Sequence, residues 1–374
     1  MTGTVAARVV SVVLAVVVFA PPTHAWLFAH GARWLYLMAS ALALALVIVP
    51  VVRACARRAG VLDQPSARKV HQVPTPLLGG AAVYAAFAVT VLLNFSFSRE
   101  LKGVALGGAV VVALGIWDDI ADLPAWGKLA GQIAATALAM SYGAMLTVVP
   151  HAVPGAAVLN AVVTALWFLT VTNAVQFLDG MDGLAAGLGA VAGLFFSVVA
   201  LQTGQPYLMF LSASLVGACL GFLPYNLRPG GATIFLGDSG ASFIGFTLAG
   251  LAVMGVWADG DPLVALLTPI LILAVPLFDI AFVGIVRVTS GKVHSLHEWL
   301  AYTGKDHIHH RLEQLGFTKR ETVFLIYFLC ATLGASATLL KSSTTREAWL
   351  IVVQATCVLA IVALLESVGR GKPS

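Results

Sequence analysis

The sequence predicts an all-α, polytopic integral membrane protein with about eleven transmembrane helices and active-site loops on the cytosolic face. Of its 374 residues, 59% are hydrophobic and only 10% are charged. Apolar runs of about 20 residues recur, and each is long enough to cross a roughly 30 Å hydrocarbon core as a helix. Strand-length alternation of apolar and polar residues is absent, which argues against an outer-membrane barrel.

The apolar runs define the predicted spans, which we place at 34–53, 77–94, 103–117, 127–149, 158–177, 183–201, 207–223, 240–257, 263–286, 322–340 and 348–368. A further apolar stretch at 9–20 precedes them, between Arg8 and Thr23-His24-Ala25. It resembles a signal peptide and fits a retained short helix equally well. We therefore expect residues 1–25 to be a signal-like or extra apolar segment, and residues 26–374 to form one multi-span domain.

The basic residues predict which side of the membrane each loop faces. If the end of the first main span lies in the cytosol, most of the 21 Lys and Arg residues are cytosolic. The exceptions on the outer side are Arg99, Lys102, Lys341 and Arg346. Cytosolic loops normally carry the excess of Lys and Arg, so this orientation is the expected one. It predicts a cytosolic C-terminus and brings four polar clusters to one face.

The first cluster ends the third predicted span, as Asp118-Asp119-Ile120-Ala121-Asp122. Its three carboxylates lie within about one helical turn, where unpaired carboxylates repel and raise one another's pKa. A bound Mg²⁺ would relieve that repulsion, because it takes hard oxygen ligands and shares them with substrate phosphates. A solvated helix end with ordinary polar residues is the alternative.

The second cluster follows the fifth span, in the run Asn173-Ala-Val-Gln176-Phe-Leu-Asp179-Gly180-Met-Asp182-Gly183. Asn173, Gln176 and Asp179 are spaced to share one helix face. The two glycines permit a tight turn and a close approach of the backbone to a ligand. A glycine-rich connection between two spans is the alternative.

The third cluster opens the eighth span, in the run Phe235-Leu-Gly237-Asp238-Ser239-Gly240. Asp238 lies at a predicted helix N-terminus, where a carboxylate serves as a cap. The free N–H groups of the same helix end are equally suited to receive a phosphate.

Asp279 differs from the other acids because it lies inside the ninth predicted span. An unpaired charge inside a span is costly, which indicates a functional group. A buried hydrogen bond to a neighbouring helix is the competing interpretation.

The fourth cluster is Asp306-His307-Ile308-His309-His310-Arg311. His307 and His310 are spaced to share a helix face, and Arg311 can bind a phosphate through two N–H groups. Three histidines also suggest zinc, but no cysteine or isolated glutamate completes a tetrahedral set nearby. We favour contact with a phosphate or sugar, with a basic juxtamembrane surface as the alternative.

The first cytosolic loop carries Arg68-Lys69-Val-His71, followed by Pro74-Thr75-Pro76 and Gly79-Gly80. Its cationic side chains are suited to hold an anionic headgroup or a nucleotide. Positive-inside anchoring explains these charges equally well, but it does not explain the prolines and glycines.

Together, these residues resemble the polyprenyl-phosphate N-acetylhexosamine-1-phosphate transferases of glycosyltransferase family 4. The resemblance runs from about Trp34 to Leu315. Its ordered motifs are R-K-x-H with P-T-P-x-x-G-G, D-D-x-x-D, N-A-V-x-F-x-D-G-x-D-G, P-Y-N with F-x-G-D-S-G, P-x-x-D, and H-I-H-H-R. The pattern is most similar to the branch that uses UDP-N-acetylglucosamine and undecaprenyl or decaprenyl phosphate.

The resemblance implies a Mg²⁺-dependent transferase, with Mn²⁺ as a substitute, in the bacterial cytoplasmic (inner) membrane. A polyprenyl phosphate would attack the sugar-linked phosphorus of a UDP-N-acetylhexosamine, with UMP as the leaving group. The product would start a cell-envelope polysaccharide, such as that of lipopolysaccharide or O-antigen. The implied partners are these two substrates and the membrane, with no nucleic acid. A homodimer and a covalent aspartyl-phosphate route are both left open.

The resemblance also implies a role for each matching residue. Asp238 and Gln176 would be metal ligands, and Phe235 would stack on uracil. The catalytic group would consist of Asp118, Asp119, Asp179, Asp182 and His310. Substrate contacts would come from Lys69, His71, Asn173, His307, His309 and Arg311.

Two other functions fit parts of the pattern. Phospho-N-acetylmuramoyl-pentapeptide transferases share the aspartates, but their histidine motif usually has three consecutive histidines. A membrane transporter would hold its site near the bilayer midplane, whereas only Asp279 lies inside a predicted span. The chain departs from the family pattern at Gln176, where Asn is common, at Ala241, where Ser is frequent, and in a longer loop at 291–305. The apolar residues of that loop predict a short interfacial helix.

Overall fold

Helices make up most of the described chain. The computed structural model describes residues 2–65, 73–93, 98–150, 152–257, 262–295, 298, 302, 304, 306–340 and 343–369. The helices are α1 Thr2–Phe19, α2 Pro21–Ala29, α3 Arg33–Ala59, α4 Gly79–Leu93, α5 Arg99–Ala121, α6 Ala125–Ser141, α7 Ala156–Phe177, α8 Leu184–Gln202, α9 Pro206–Asn226, α10 Gly237–Met254, α11 Pro262–Ile272, α12 Ala274–Thr289, α13 Ile308–Gln314, α14 Lys319–Leu340 and α15 Thr345–Gly369. Two short strands, β1 Leu62–Asp63 and β2 Thr75–Pro76, pair in antiparallel fashion.

The structure confirms the all-α membrane class, but the count of eleven spans is not confirmed. Within the described residues, eight helices are long and apolar enough to cross a bilayer, or ten if each of two bent pairs counts as one span. The bent pairs are α1 with α2, at 56°, and α11 with α12, at 81°. α4 has 15 residues and rises only about 22 Å, which is shorter than a hydrocarbon core of about 30 Å.

Three helices form the centre of the bundle. The fraction of an apolar 18-residue stretch that is buried is 72% in α8, 72% in α9 and 78% in α10, against 17% in α15. α10 packs against α4, α5 and α7, and α9 packs against α3 and α8. The helix that begins with the Gly-Asp-Ser-Gly run is therefore enclosed on several sides. α1 and α2 both contact α3, and the division of the chain at residue 25 stays a prediction.

The prolines and glycines of the first loop hold the segment that leads into α10. Leu62 pairs with Pro76, and the Phe235 amide donates a hydrogen bond to the Pro76 carbonyl at 2.8 Å. The Gly79 and Gly80 amides then donate to the carbonyls of Phe235 and Leu236, at 3.0 and 2.7 Å. The Pro-Thr-Pro and Gly-Gly runs thus have a structural explanation that charge alone did not supply.

Backbone packs directly on backbone where α4 and α5 meet the start of α10. A Cβ added at Gly80 would lie 2.0 Å from the Gly240 nitrogen, and one added at Gly115 would lie 2.3 Å from the Ser239 Cα. Small residues at helix interfaces in lipid permit this close approach. Both glycines therefore fix the distance between neighbouring helices beside Asp238.

The predicted interfacial helix in the loop at 291–305 falls mainly on residues outside the described part of the chain. Of the described residues there, Tyr302 places its ring 4.6 Å from the guanidinium carbon of Arg287. The interfacial helix therefore stays a prediction.

We predict that Gly80→Ala destabilises the folded protein, because the new methyl group would meet the Gly240 backbone and force the helices apart. Overpacking of this kind costs about 1–3 kcal/mol. The measurement is the thermal unfolding midpoint of the detergent-solubilised protein. Gly230→Ala is the matched control, since a Cβ there meets no atom within 4 Å. Equal midpoints for the two variants would contradict the packing argument.

Candidate active site

The first and third acidic clusters meet at the start of α10. The Asp119 carboxylate accepts hydrogen bonds from the Asp238 amide at 2.8 Å and from the Ser239 hydroxyl at 2.8 Å. Gly237 adopts a φ of +74°, and a Cβ there would lie 2.6 Å from Asp119 Oδ2. The carboxylate of Asp119 therefore caps α10, so Asp238 itself is free to face the interior of the cluster.

A lysine joins the two acidic clusters. The ε-amino group of Lys128, on α6, forms an ion pair with Asp118 and donates a hydrogen bond to Asp238 Oδ2 at 2.8 Å. Asp118 is buried and its Oδ1 also accepts from the Leu123 amide at 2.7 Å. A cation between two carboxylates offsets their repulsion in an environment that solvates charge poorly.

A small cleft opens beside this ion pair, between α5, α6, α7 and α10. Its polar lining consists of Asp118, Lys128, Gln132, Gln176, Asp238 and Ser242. The Gln176 side chain interacts with the Asp238 carboxylate. The Asn173 amide group donates to Gln132 Oε1 and to the Leu169 carbonyl, both at 2.8 Å. Asn173 is thus engaged within the protein, and its predicted substrate contact stays a prediction.

The two acids of the second cluster have different surroundings. Burial, followed by the negative charges of Asp238, Asp119 and Asp182, raises the pKa of the Asp179 carboxyl well above its usual range. Asp182 instead accepts a hydrogen bond from the Ala232 amide at 2.9 Å. Asp179 therefore belongs electrostatically to the acidic cluster, whereas Asp182 holds the loop that precedes α10.

The histidine motif lies against the second cluster. His309 is buried, and a Cβ added at Gly180 would lie 2.2 Å from its Nε2 atom. Neither ring nitrogen of His309 has a hydrogen-bond partner among the described residues. Burial, together with the positive charges of His310 and His307, holds the pKa of the His309 ring well below its usual value. His309 is thus a neutral, unpartnered side chain at the Asp-Gly-Met-Asp-Gly turn.

The other members of the histidine motif have different environments. His307 is buried and contacts Asp279 through Nδ1 at 2.6 Å. His310 is partly exposed and lies 3.6 Å from Glu313. Arg311 donates to Gln314 at 3.3 Å, while its Nε atom has no partner within the described structure.

The sequence is similar to those of known proteins. The family model described as Glycosyl transferase family 4 matches residues 101–256. A protein of Bacillus subtilis (strain 168) named "Probable undecaprenyl-phosphate N-acetylglucosaminyl 1-phosphate transferase" is 34% identical over 304 residues, covering 80% of this chain and 82% of that protein. The chain belongs to glycosyl transferase family 4.

Two further relatives of this family 4 transferase cover similar shares of its length. A "Decaprenyl-phosphate N-acetylglucosaminephosphotransferase" of Mycolicibacterium smegmatis is 36% identical over 77% of this chain and 78% of its own. An "Undecaprenyl-phosphate alpha-N-acetylglucosaminyl 1-phosphate transferase" of Escherichia coli K12 is 27% identical over 80% of this chain and 82% of its own. The suspected family is therefore confirmed.

The four clusters of the family 4 transferase form one continuous group. The Asp119 carboxylate accepts a hydrogen bond from the Asp238 amide. The negative charges of both residues raise the pKa of Asp179, and Gly180, the residue after it, packs against His309. Asp122 is exposed, in a left-handed conformation with a φ of +45°, and ends α5. Lys69 and His71 lie outside the described residues, and the stacking role of Phe235 stays a prediction.

The donor set of the cleft suits a hard divalent cation. In the described part of the chain, no group of three or more His, Cys, Asp or Glu side chains is arranged to hold a metal ion. Mg²⁺ usually needs only one or two carboxylates, because water and substrate phosphates complete its coordination. Asp238 with the amide oxygen of Gln176 supplies such a set, and Asp118 lies within reach of the same cleft.

Sequence reasoning missed the contributions of α6 and α9. The sequence pattern places Lys128 only among the cytosolic Lys and Arg residues, although Gln132 lies one turn further along the same helix face. Asn226, from the Pro-Tyr-Asn run, accepts from the Gly183 amide at 2.6 Å and donates to the Ile234 carbonyl at 3.0 Å. Polar residues at helical spacing inside an apolar run are the signal that would have found Lys128 and Gln132.

We predict that His309 makes the folded protein less stable in acid. The unfolded chain protonates this ring below about pH 6.5, whereas the folded protein keeps it neutral. Stability is therefore lost as the pH falls below about 6.5, because the unfolded state then binds more protons. His309→Asn should show a smaller drop of the unfolding midpoint between about pH 7.5 and about pH 5.5 than the wild type. His24→Asn, at an exposed site, controls for the loss of a histidine. The prediction would be contradicted if the unfolding midpoint of His309→Asn fell with pH as much as that of the wild type.

Proposed function

We propose that this enzyme transfers N-acetylglucosamine-1-phosphate from UDP-N-acetylglucosamine to a polyprenyl phosphate, with UMP as the second product. The observation that supports this most is the Lys128 ion pair with Asp118 and Asp238 at one end of apolar helices. Charged groups at this position are suited to handle phosphates, because a lipid substrate and a water-soluble substrate would both reach the ends of these helices. The names of the bacterial relatives describe the same transfer.

The reaction is a phosphoryl-centre substitution. An oxygen of the polyprenyl phosphate attacks the sugar-linked phosphorus, and the bond from that phosphorus to the oxygen shared with UMP breaks. UMP leaves with the electron pair, and polyprenyl-diphospho-N-acetylglucosamine remains. The second pKa of a phosphate monoester is about 6, so the nucleophile is already largely ionised. Catalysis then depends on positioning and on neutralising charge.

The acidic cluster supplies the positions for these phosphates. Asp238 and Gln176 would hold Mg²⁺, or Mn²⁺ in its place, and the bound ion would neutralise the diphosphate. Lys128 keeps Asp118 and Asp238 close together and adds a positive charge beside the lipid phosphate. Asp119 fixes the start of α10, so Asp238 keeps its direction.

The histidine motif would contact the diphosphate and the sugar. Among the described residues, the Arg311 Nε–H group and both ring nitrogens of His309 have no hydrogen-bond partner, so they are open to a ligand. Asp179 and Asp182 frame the nucleotide side of the site. Lys69 and His71 would add cationic contacts from the first loop, and Phe235 would stack on uracil.

We infer that the enzyme lies in the cytoplasmic (inner) membrane with this site facing the cytosol. The C-terminal ends of α5 and α7 and the N-terminal end of α10 meet in the cluster, so they share one side of the bundle. That side carries the excess of Lys and Arg in the sequence. The lipid product would then start a cell-envelope polysaccharide.

The proposed transfer is tested by the release of UMP. Membranes containing the protein are supplied with polyprenyl phosphate, Mg²⁺ and UDP-N-acetylglucosamine, and UMP is measured against membranes without the protein. We expect UMP and a lipid-linked sugar in equal amounts, and neither when the lipid phosphate is left out. UMP formed only with UDP-N-acetylmuramoyl-pentapeptide would assign the other branch. No UMP with any UDP-amino sugar would refute the proposal.

We also predict that Asp238→Asn, Lys128→Met and His310→Ala each lower turnover by about 100-fold or more. Asp238→Asn would weaken binding of the metal ion, and the other two variants remove side chains that would contact phosphate. The rate of UMP release measures this, and size-exclusion chromatography shows that the variants stay folded. Asp122→Asn is the matched control, since Asp122 is an exposed acid on the same motif and the variant should keep most of the activity. Near-normal rates in the first three variants would count against the assigned site.

A further inference from the structure

Asp279 is a buried acid inside an apolar helix, and both of its carboxylate oxygens have partners. It is 1% exposed and lies on α12, near the 81° bend from α11. Oδ1 accepts from the Ile308 amide at 2.7 Å, and Oδ2 accepts from His307 Nδ1 at 2.6 Å. Both partners belong to the histidine motif, 28 and 29 residues further along the chain.

These two hydrogen bonds fix different properties of the motif. The Ile308 amide is the first N–H group of α13 and has no partner within that helix, so Asp279 caps α13 from another helix. A carboxylate accepts only, which places the His307 proton on Nδ1. The lone pair of Nε2 then faces Arg287 Nη2, at 3.5 Å. The ring is held between an acceptor and a donor, an arrangement that suits one tautomer.

A second set of hydrogen bonds joins α12 to Asp306, the residue directly before the histidine motif. Arg287 donates to Asp306 through Nε at 2.9 Å and through Nη2 at 2.6 Å. Burial by itself would raise the pKa of the Asp306 carboxyl, but the hydrogen bonds and charge of Arg287 outweigh burial and lower it. Two residues of α12 thus bind Asp306 and His307, which are successive in the chain. The motif therefore cannot rotate about a single contact.

The residues that follow in the motif begin beside the Asp-Gly-Met-Asp-Gly turn, which the proposed function assigns to the nucleotide. His309 packs on Gly180, and Arg311 presents an unpartnered Nε–H group within the described structure. Both ring nitrogens of His307 are meanwhile engaged with α12. His307 therefore connects α12 to the substrate-facing part of the motif.

We propose that Asp279 is a positioning residue, which orients His307 and the start of α13. It thereby holds His309 against the Asp-Gly-Met-Asp-Gly turn and sets the position of Arg311 on α13. This role rests on the proposed function, in which those side chains contact the diphosphate and sugar. Asp279 touches no reacting atom and acts through His307 and the Ile308 amide.

The structural half of the proposal is tested without any activity measurement. Hydrogen–deuterium exchange of a peptide covering 307–312 should be faster in Asp279→Ala, because the Ile308 amide loses its acceptor. Asp279→Asn keeps one acceptor oxygen and should stay close to the wild type. Thr268→Val is the matched control: Thr268 is equally buried in the same bent pair, but among the described residues its hydroxyl donates to the Val264 carbonyl alone. Wild-type exchange in Asp279→Ala would overturn the proposal.

The functional half is tested by kinetics on the variants that fold. Asp279→Asn presents an N–H group to His307 Nδ1 and disfavours the native tautomer. We expect kcat/KM for UDP-N-acetylglucosamine to fall by about 10-fold or more, which is the lower end of the loss found when a metal-binding histidine loses its hydrogen-bond partner. KM for the polyprenyl phosphate should stay unchanged, and Thr268→Val should match the wild type.

A double variant separates positioning from a general loss of stability. If Asp279 acts through His307, Asp279→Asn combined with His307→Ala should be no slower than His307→Ala alone. The positioning role would be overturned if the losses of the two single variants multiplied in the double variant. It would also be overturned if KM for the lipid phosphate rose as much as KM for UDP-N-acetylglucosamine. A wild-type protein that releases no UMP would refute the proposed function instead, and the exchange experiment would still decide whether Asp279 holds α13.

Discussion

The contact of Lys128 with Asp118 and Asp238 is the interaction on which the rest of the site depends. Asp118 comes from the end of α5 and Asp238 from the start of α10, and without a cation their charges would drive these helix ends apart. Lys128 reaches both from α6. Three helices are thereby held at one point, and the cleft that would receive phosphates lies beside it.

The acidic residues of this enzyme have separate tasks, which their spacing in the sequence does not distinguish. Asp119 caps α10, Asp182 holds the loop before α10, and Asp279 caps α13. Asp118 and Asp238 face the cleft, and Asp179 shares their electrostatic environment. Three of these six acids thus maintain the geometry around a cleft that two others line. This division explains how so many carboxylates are accommodated at one membrane face.

The sequence was sufficient for the helical membrane class and for the residues of the four clusters, because long apolar runs and closely spaced acids are local signals. It was not sufficient for the contacts of Lys128 with Asp238 and of Asn226 with Gly183, because these partners lie 110 and 43 residues apart along the chain. The sequence was also not sufficient for the number of membrane spans. An apolar run does not reveal that α4 is short or that α11 and α12 meet at 81°.

The glycine contacts between α4, α5 and the start of α10 fix the backbone beneath the site. Where backbone touches backbone, no side-chain rotamer is available to take up a change in lipid thickness or temperature. The spacing of Asp119 and Asp238 is therefore insulated from the surrounding bilayer. A substitution elsewhere in the site, for example in the histidine motif, would then leave the spacing of these two carboxylates unchanged.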